Sequence, residues 1–545
     1  MKGAELLVRE LQQRGVTFMA TLCGHGLDPV DIACKRLGLR LVDVRNEQAA
    51  GYMAEVTGRL TRRVGVCAAS SGVAHVNALT GVVNAYFDGA PMLLITGSGP
   101  TETMGLGHFQ DLDQVALAAP VCKYAKLVDR AERIPQFLHE AFAAALVDRP
   151  GPVHLTVPLD VLEAEITPDS LVRVPESRPA PPPPSSGDEG QIAVAAGWLA
   201  QSQRPLVIAG TGLYYAEGEK SLAHLVKALS LPAVVPIWDR GTITDPIEEF
   251  MGVIGAASGG PRLLPDADLI LMVGAACDYR VGYLQPPTIR YDARIIRIDG
   301  DPVKLHQGAG VHLPILGNPR VVLDQLSEAC SANNMSPKSD WLREALRRNL
   351  TFREQCRKVR RPAEGRLHAL DIIDAVRSVI TDETILLIDG GNIGQWCHQV
   401  LCDRYPGHWL TCGASGVVGF GVPGAMAARL LYPERPIILI SGDGSLGFTA
   451  AEFESAKRQG LGFVAVVADD QAWGISLTGH QRKYGEGITS ELGPMDYAKM
   501  AEAFGARGIR VDRADQIVPA LQQGARADRP TLIHVPIVRS NPTDT

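Results

Sequence analysis

The chain has 545 residues, 46% hydrophobic and 21% charged, with a formal net charge of −7. At roughly 150 residues per domain this length predicts three to four domains, and the composition excludes a largely disordered chain. The negative balance, with no long basic run, argues against a nucleic-acid or anionic-membrane surface.

The opening segment MKGAELLVRELQQRGV spaces Leu6, Leu7 and Leu11 as an amphipathic helix and lacks the continuous apolar core of a signal peptide. Ten cysteines without a C-x-x-C are expected to be buried thiols in a reducing cytoplasm. LRLVDVRNEQAAGYMAEVTGRL (39–60) predicts a strand followed by a helix, with Glu47 at the junction. An acid in a first helical turn is favoured by the macrodipole and common, so local sequence does not separate a capping acid from a catalytic one. Buried strands are predicted at 64–70, 91–97 and 152–157. PESRPAPPPPSSGDEG (175–190) reads as an extended linker.

The second piece, 191–330, carries the runs PLVIAG, LILMVGAA and RIIRID, and the third, 366–545, carries TILLIDG, PIILISG and GFVAVVAD. Between them, 331–365 reads as a charged linker helix packed on the surface. The longest apolar run, ADLILMVGAA (267–276), is well short of the roughly 18 residues of a membrane helix. Runs of five to eight residues, apolar throughout and rich in Val and Ile, suit strands buried on both faces of a parallel sheet with crossover helices. The predicted fold class is α/β, with three consecutive parallel-sheet α/β domains at 1–174, 191–330 and 366–545. In such sheets ligands lie beyond the carboxyl ends of the strands.

There the third piece is informative. PIILIS ends in Gly442-Asp443-Gly444-Ser445, and FVAVVA ends in Asp469-Asp470. Thr449 and Glu452 between them have the form of a capping box opening a helix. One β-α-β unit puts Asp443 and Asp470 on the same sheet edge, placed to share a hard cation such as Mg²⁺. Gly442, Gly444 and Ser445 suit a phosphate. The plainer reading of GDGS alone is a glycine turn with a solvated acid; the second acid at the neighbouring strand end favours the metal.

GDGS with the later acid pair resembles the signature of thiamine diphosphate enzymes, in which both positions bind Mg²⁺ and the metal holds the cofactor diphosphate. That family usually has Asn-Asn where this chain has Asp469-Asp470, an extra negative charge that needs compensation. CGASGVVGFGVPGAMAA (412–428) is similar to the family's thiazolium-supporting segment. The likeness implies Val418 as the apolar wedge that bends the cofactor, and the Gly416 carbonyl as acceptor from the 4'-amino group. Gly391 and Asn392 would lie near the diphosphate, and Ala472 would complete the metal set. Arg45-Asn46-Glu47-Gln48-Ala49-Ala50 matches the R-x-E-x-A-A of the pyrimidine-binding half, which implies that Glu47 hydrogen-bonds N1' of the aminopyrimidine. Segments 70–100 and 108–128 resemble the acetolactate synthase and benzaldehyde lyase branch. By position they put Gly24, His25, Gly72 and Gln110 at the thiazolium or the substrate, although a loop histidine such as His25 is also commonly a surface residue.

The likeness makes 1–174 a pyrimidine-binding domain, 191–330 a central domain and 366–545 a diphosphate-binding domain. It implies an enzyme that makes or breaks a carbon–carbon bond beside a carbonyl through a C2 carbanion and an enamine. The donor would be a 2-oxo acid; aldehyde or 2-hydroxy ketone substrates suit the alternatives, an aldehyde lyase or a 2-hydroxyacyl-CoA lyase. A non-catalytic nucleotide-binding regulator is a rival from another class. The cofactors implied are thiamine diphosphate and Mg²⁺. FAD is disfavoured in the central domain because MGVIGAAS (251–258) departs from the flavin pattern. Arg280 stands where acetolactate synthases keep an Arg for the acceptor carboxylate; a local ion pair is the equal alternative. By the same analogy the active site crosses a subunit boundary, giving a cytoplasmic homodimer or homotetramer that binds neither nucleic acid nor membrane.

Overall fold

Eighteen short strands among the described residues segregate into three six-stranded sheets, one per predicted piece, and every strand pair is parallel. The computed structural model describes residues 1–172, 184–239, 241–255, 260–308, 310–358, 366–401, 409–525 and 528–540. Most of the Pro-rich stretch and part of 251–258 lie outside them.

The first sheet holds β1 (Phe18–Thr21), β2 (Arg40–Asp43), β3 (Gly65–Ala69), β4 (Met92–Ser98), β5 (Tyr124–Leu127) and β6 (Pro152–Pro158), in the order β2-β1-β3-β4-β6-β5. The second holds β7 (Pro205–Ala209), β8 (Ala233–Pro236), β9 (Phe250–Ile254), β10 (Leu269–Val273), β11 (Arg294–Asp299) and β12 (Leu313–Leu316), in the order β12-β11-β10-β7-β8-β9. The third holds β13 (Ile385–Asp389), β14 (Leu410–Thr411), β15 (Ile437–Gly442), β16 (Val464–Asp469), β17 (Arg507–Arg510) and β18 (Thr531–Pro536), in the order β14-β13-β15-β16-β18-β17. The first and third sheets therefore share one topology. The second, read from its β9 edge, has the 3-2-1-4-5-6 order of dinucleotide-binding sheets.

The central strands are buried at every position, as their unbroken apolar runs require. Where strand order reverses, the chain leaves neighbouring strands in opposite directions and opens a crevice at their carboxyl ends. This happens between β1 and β3, between β7 and β10, and between β13 and β15.

The first and third domains share a core. The helix Glu47–Thr61 is buried from Ala49 to Leu60 and packs against both Val73–Asp88 and Gly421–Leu431. Gly51 and Gly81 meet where the first two of these cross: a Cβ on Gly81 would lie 2.4 Å from the Gly51 carbonyl carbon. The charged helix Ser339–Lys358 lies on the central domain, where Trp341 is buried and its Nε1 donates to the Pro205 carbonyl at 2.9 Å. No helix among the described residues is long and apolar enough to cross a membrane.

Two local expectations change. Glu189 and Gly190, at the end of the Pro-rich stretch, begin the helix Glu189–Gln201. The residues Thr449 and Glu452 do not form a capping box: the Thr449 hydroxyl donates to the Gly419 carbonyl at 2.7 Å, and the Glu452 carboxylate accepts the backbone N–H of Arg45 at 3.0 Å. Both polar groups join distant segments rather than capping the helix Glu452–Arg458.

Candidate functional site

At the β13–β15 reversal, Gly390 leads into the helix Gly391–Val400, whose first N–H groups lack intrahelical acceptors and point a positive dipole end at the crevice. Gly442 leads into the short helix Asp443–Gly447, and β16 delivers Asp470 alongside. Together these elements line a cavity of about 260 Å³. Of the third-domain residues singled out from sequence, Gly391, Asn392, Gly416, Val418, Gly442, Asp443, Gly444, Ser445, Asp470 and Ala472 lie on its wall, and Asp469 does not.

The Asp443 carboxyl is 3% exposed. Its Oδ1 accepts the Gly444 N–H at 2.9 Å, whereas Oδ2 is buried without a partner. Burial, then the neighbouring Asp470 and Asp469, push this carboxyl up to about 8. Asp470 is also raised, chiefly by burial, and its Oδ2 accepts from Asn392 Nδ2 at 3.0 Å. An unpartnered buried oxygen beside a second carboxylate is an arrangement that a bound cation would satisfy. Among the described residues no three acidic, His or Cys side chains converge. A cation here would therefore take the two aspartates, a carbonyl and external oxygens, which suits Mg²⁺ with a diphosphate.

Asp469 does not line the cavity but stands directly behind Asp443, which it helps to raise. Its Oδ2 meets His534 Nε2 at 2.8 Å, with both side chains buried. Arg539 adds a positive charge nearby, its Nε donating to the Asp470 carbonyl at 3.1 Å. Neither His534 nor Arg539 was singled out from sequence, because each lies more than 60 positions from the acid pair and on no motif.

The first-domain candidates assemble at the matching β1–β3 reversal. The Gly24 backbone lies against Ser70 so closely that a Cβ would sit 2.6 Å from its Oγ. Gly72 has φ +62, a conformation that excludes most side chains, and a Cβ there would strike Gln110 at 2.6 Å. Ser71 Oγ donates to Gln110 Oε1 at 2.9 Å, and the Nε2 atoms of His25 and His108 lie 3.2 Å apart. Glu47 opens its helix, half-buried, and its carboxylate accepts from Asn77 Nδ2 at 3.0 Å.

None of these five residues lines the third-domain cavity, so one chain holds the sequence-derived residues in two groups. Both groups are edged by exposed apolar side chains. Leu106 and Phe109 beside Gln110 are 78% and 65% exposed, and Phe448 and Ile475 flank the third-domain cavity.

Arg280 is corrected by the structure. It is 2% exposed; its Nε and Nη2 engage Asp278 at 3.1 and 2.9 Å, and its Nη1 meets Asp239 and the Ile237 carbonyl. The fork that would clasp a substrate carboxylate is already closed on Asp278. Asp299 accepts the Asp301 N–H at 3.0 Å as a turn residue and lies on a second crevice of about 2280 Å³. This crevice lies at the β7–β10 reversal and is lined by Arg62, Arg149, Arg297, Lys304 and Arg320.

Three family models match the chain in order. The thiamine pyrophosphate enzyme N-terminal TPP binding domain matches 1–117, the central domain 192–326, and the C-terminal TPP binding domain 389–535. The probable acetolactate synthase large subunit of Methanocaldococcus jannaschii is 27% identical over 98% of this chain and 92% of its own length. Acetolactate synthase isozyme 3 large subunit of Escherichia coli is 29% identical over 96% and 92%, respectively. 2-Hydroxyacyl-CoA lyase 2 of Danio rerio is 26% identical over 99% and 92%.

Proposed function

The chain belongs to the thiamine pyrophosphate enzymes, and from that premise we propose that it is an acetolactate-synthase-like carboligase or decarboxylase acting on a 2-oxo acid. The observation that carries the site assignment is the unpartnered Asp443 Oδ2 beside Asp470 between two glycine-led helix starts.

In this reading Asp443, Asp470 and the Ala472 carbonyl hold Mg²⁺, with Asn392 orienting Asp470. The N–H groups at the helix starts after Gly390 and Gly442, with Ser445, would favour the diphosphate's negative charge. Val418 would support the bound cofactor from below, and the Gly416 carbonyl would accept its amino hydrogen. Glu47 holds a proton against N1' of the pyrimidine, with Asn77 fixing its carboxylate. Gln110 and His25 lie at the substrate end, positioned to hydrogen-bond a carbonyl oxygen. When bound, the cofactor supplies the electron sink for the bond beside that carbonyl.

Glu47 and Asp443 belong to separate crevices of one chain, so the assembled site takes one group from each of two copies. The exposed apolar side chains edging both crevices support this arrangement. The working protein is then a cytoplasmic homodimer or a tetramer built from it.

The large crevice supports a second reading, a 2-hydroxyacyl-CoA lyase, because Arg149, Lys304 and Arg320 on its mixed-charge lining suit the phosphates of a coenzyme A thioester. Incubation with thiamine diphosphate, Mg²⁺ and a panel of 2-oxo acids, read by CO₂ release and product mass, decides between them. CO₂ with ligation products supports the first reading. In a parallel incubation with a 2-hydroxyacyl-CoA, cleavage to an aldehyde and formyl-CoA, without CO₂, replaces it with the second. Retention of the cofactor with neither reaction leaves a binding regulator.

A further inference from the structure

The loop between β14 and the helix Gly421–Leu431 carries Gly416 and Val418 and has no regular structure. Three of its glycines have positive φ: Gly413 at +83, Gly416 at +68 and Gly419 at +92. A backbone so permissive does not set the direction of the Gly416 carbonyl by itself. Its far side is fixed from within the third domain, where the Asp389 carboxylate accepts the N–H groups of Gly419 and Gly421 at 3.1 and 2.9 Å.

The near side is fixed from the first domain. Arg59 Nη1 donates to the Thr411 carbonyl at 2.9 Å, and Asp88 Oδ1 accepts the Ala414 N–H at 3.0 Å. The Ser415 hydroxyl donates to Asn84 Oδ1 at 2.5 Å and in turn accepts the Val417 N–H at 3.2 Å. The anchors are themselves held in place. Arg59 Nε lies 2.9 Å from Asp88 Oδ2, its Nη1 lies 3.2 Å from Glu55, and all three side chains are essentially inaccessible. Buried ion pairs of this kind add little net stability but define geometry strictly, because any other arrangement strands a charge.

The helix Val73–Asp88 thus has two working ends. Its first turn follows Gly72 in the first-domain crevice, and its last turn grips the loop of the third-domain cavity of the same chain.

We propose that Asn84 and Asp88 are positioning residues that orient the Gly416 carbonyl and the Val418 wedge through Ser415 and Ala414. They act through the loop and touch neither cofactor nor substrate. The inference rests on the proposed thiamine diphosphate site.

The test is hydrogen–deuterium exchange at C2 of bound thiamine diphosphate, measured on the full chain with Mg²⁺ by quench and NMR. Cofactor affinity and thermal midpoint are recorded beside it. Ser415→Ala and Asn84→Ala are each expected to slow exchange about tenfold, the cost of one hydrogen bond to an ordered loop, with the midpoint nearly unchanged. The double variant should lose little more than either single one, and Ser415→Thr, which keeps the hydroxyl, should restore the rate. Exchange within twofold of wild type in both single variants overturns the proposal. So does a loss that Ser415→Thr fails to restore. Should the wild type itself leave C2 exchange unaccelerated, the functional reading fails first and takes this inference with it.

Discussion

Asp469 and Asp470 are adjacent in sequence and face opposite ways: Asp469 Oδ2 lies 2.8 Å from His534 inside the sheet, while Asp470 Oδ2 turns to Asn392 on the cavity wall. Consecutive side chains leave a strand end on opposite sides, so an acid pair delivers only one carboxylate to the cation. The Asp469 carboxylate is held behind the wall by His534 and the Gln471 N–H, yet it lies close enough to Asp443 to help raise that carboxyl. Asp469 is not placed as a ligand and acts only through Asp443, so Asp469→Asn is expected to change Mg²⁺ affinity by less than about tenfold in calorimetric titration. Asn392→Ala should weaken it by about 10–100-fold, because it releases the partner that orients a ligand. Equal losses in the two variants would mean that Asp469 also faces the metal.

Glu47→Gln tests the other end of the site. The amide keeps the shape and the hydrogen bond with Asn77 but holds no exchangeable acid proton. Turnover is expected to fall by about 10²–10⁴, the span of a general acid–base contribution, while thiamine diphosphate affinity stays near wild type. Asn77→Ala should lower turnover less, by about tenfold, since it only frees the carboxylate to rotate. If Glu47→Gln abolished binding and turnover together, Glu47 would be a structural cap.

The acids at the ends of β15 and β16 were legible because unbroken apolar runs stop at them, and parallel-sheet topology places such ends on one edge. Glu47 was legible only by likeness, since a helix-opening acid looks the same whether or not it reacts. Short edge strands such as β5 and β17 carry too few apolar residues to register as runs, and β14 has two residues. What sequence did not reveal are contacts between residues far apart in the chain. His534 follows Asp469 by 65 positions, and Asp88 lies 326 positions before the loop it holds. Arg280 shows the cost: its motif position left a substrate role and a local ion pair equally open, and only the fold brings Asp239 onto it.

That geometry makes a sharp prediction for Arg280. A substrate-binding Arg replaced by Ala raises KM and leaves folding intact. Here Arg280→Ala leaves Asp239, which is buried and whose carboxyl burial already pushes up, with the Thr211 N–H but no counter-charge. Loss of one partner of a buried pair costs about 3–5 kcal/mol, so urea unfolding should shift by that amount. Arg280→Ala together with Asp239→Asn should recover part of it. A stable single variant with an elevated KM for a 2-oxo acid would restore the substrate role.

Acid sensitivity should come from a pair of imidazoles behind the first-domain crevice. His75 and His154 have ring centroids 4.8 Å apart, both are inaccessible, and neither His75 nitrogen has a hydrogen-bond partner. Burial holds His75 down to about 4 against an ordinary 6.5, and burial, with His75 beside it, lowers His154 as well. A lowered folded value means that the unfolded chain binds the proton first as pH falls. The His75 contribution to stability is therefore flat above about pH 7, declines as pH drops from 6.5 towards 4, and stops declining once folded His75 itself titrates. At pH 5 the His75 share of the loss is about 2 kcal/mol, at 1.36 kcal/mol per pH unit below 6.5. Urea unfolding of wild type and His75→Leu at pH 8 and pH 5 measures it: the variant should show a pH difference smaller by about 2 kcal/mol. An unchanged difference would place the acid sensitivity elsewhere, with buried His398, held down to about 3, as the next group to replace.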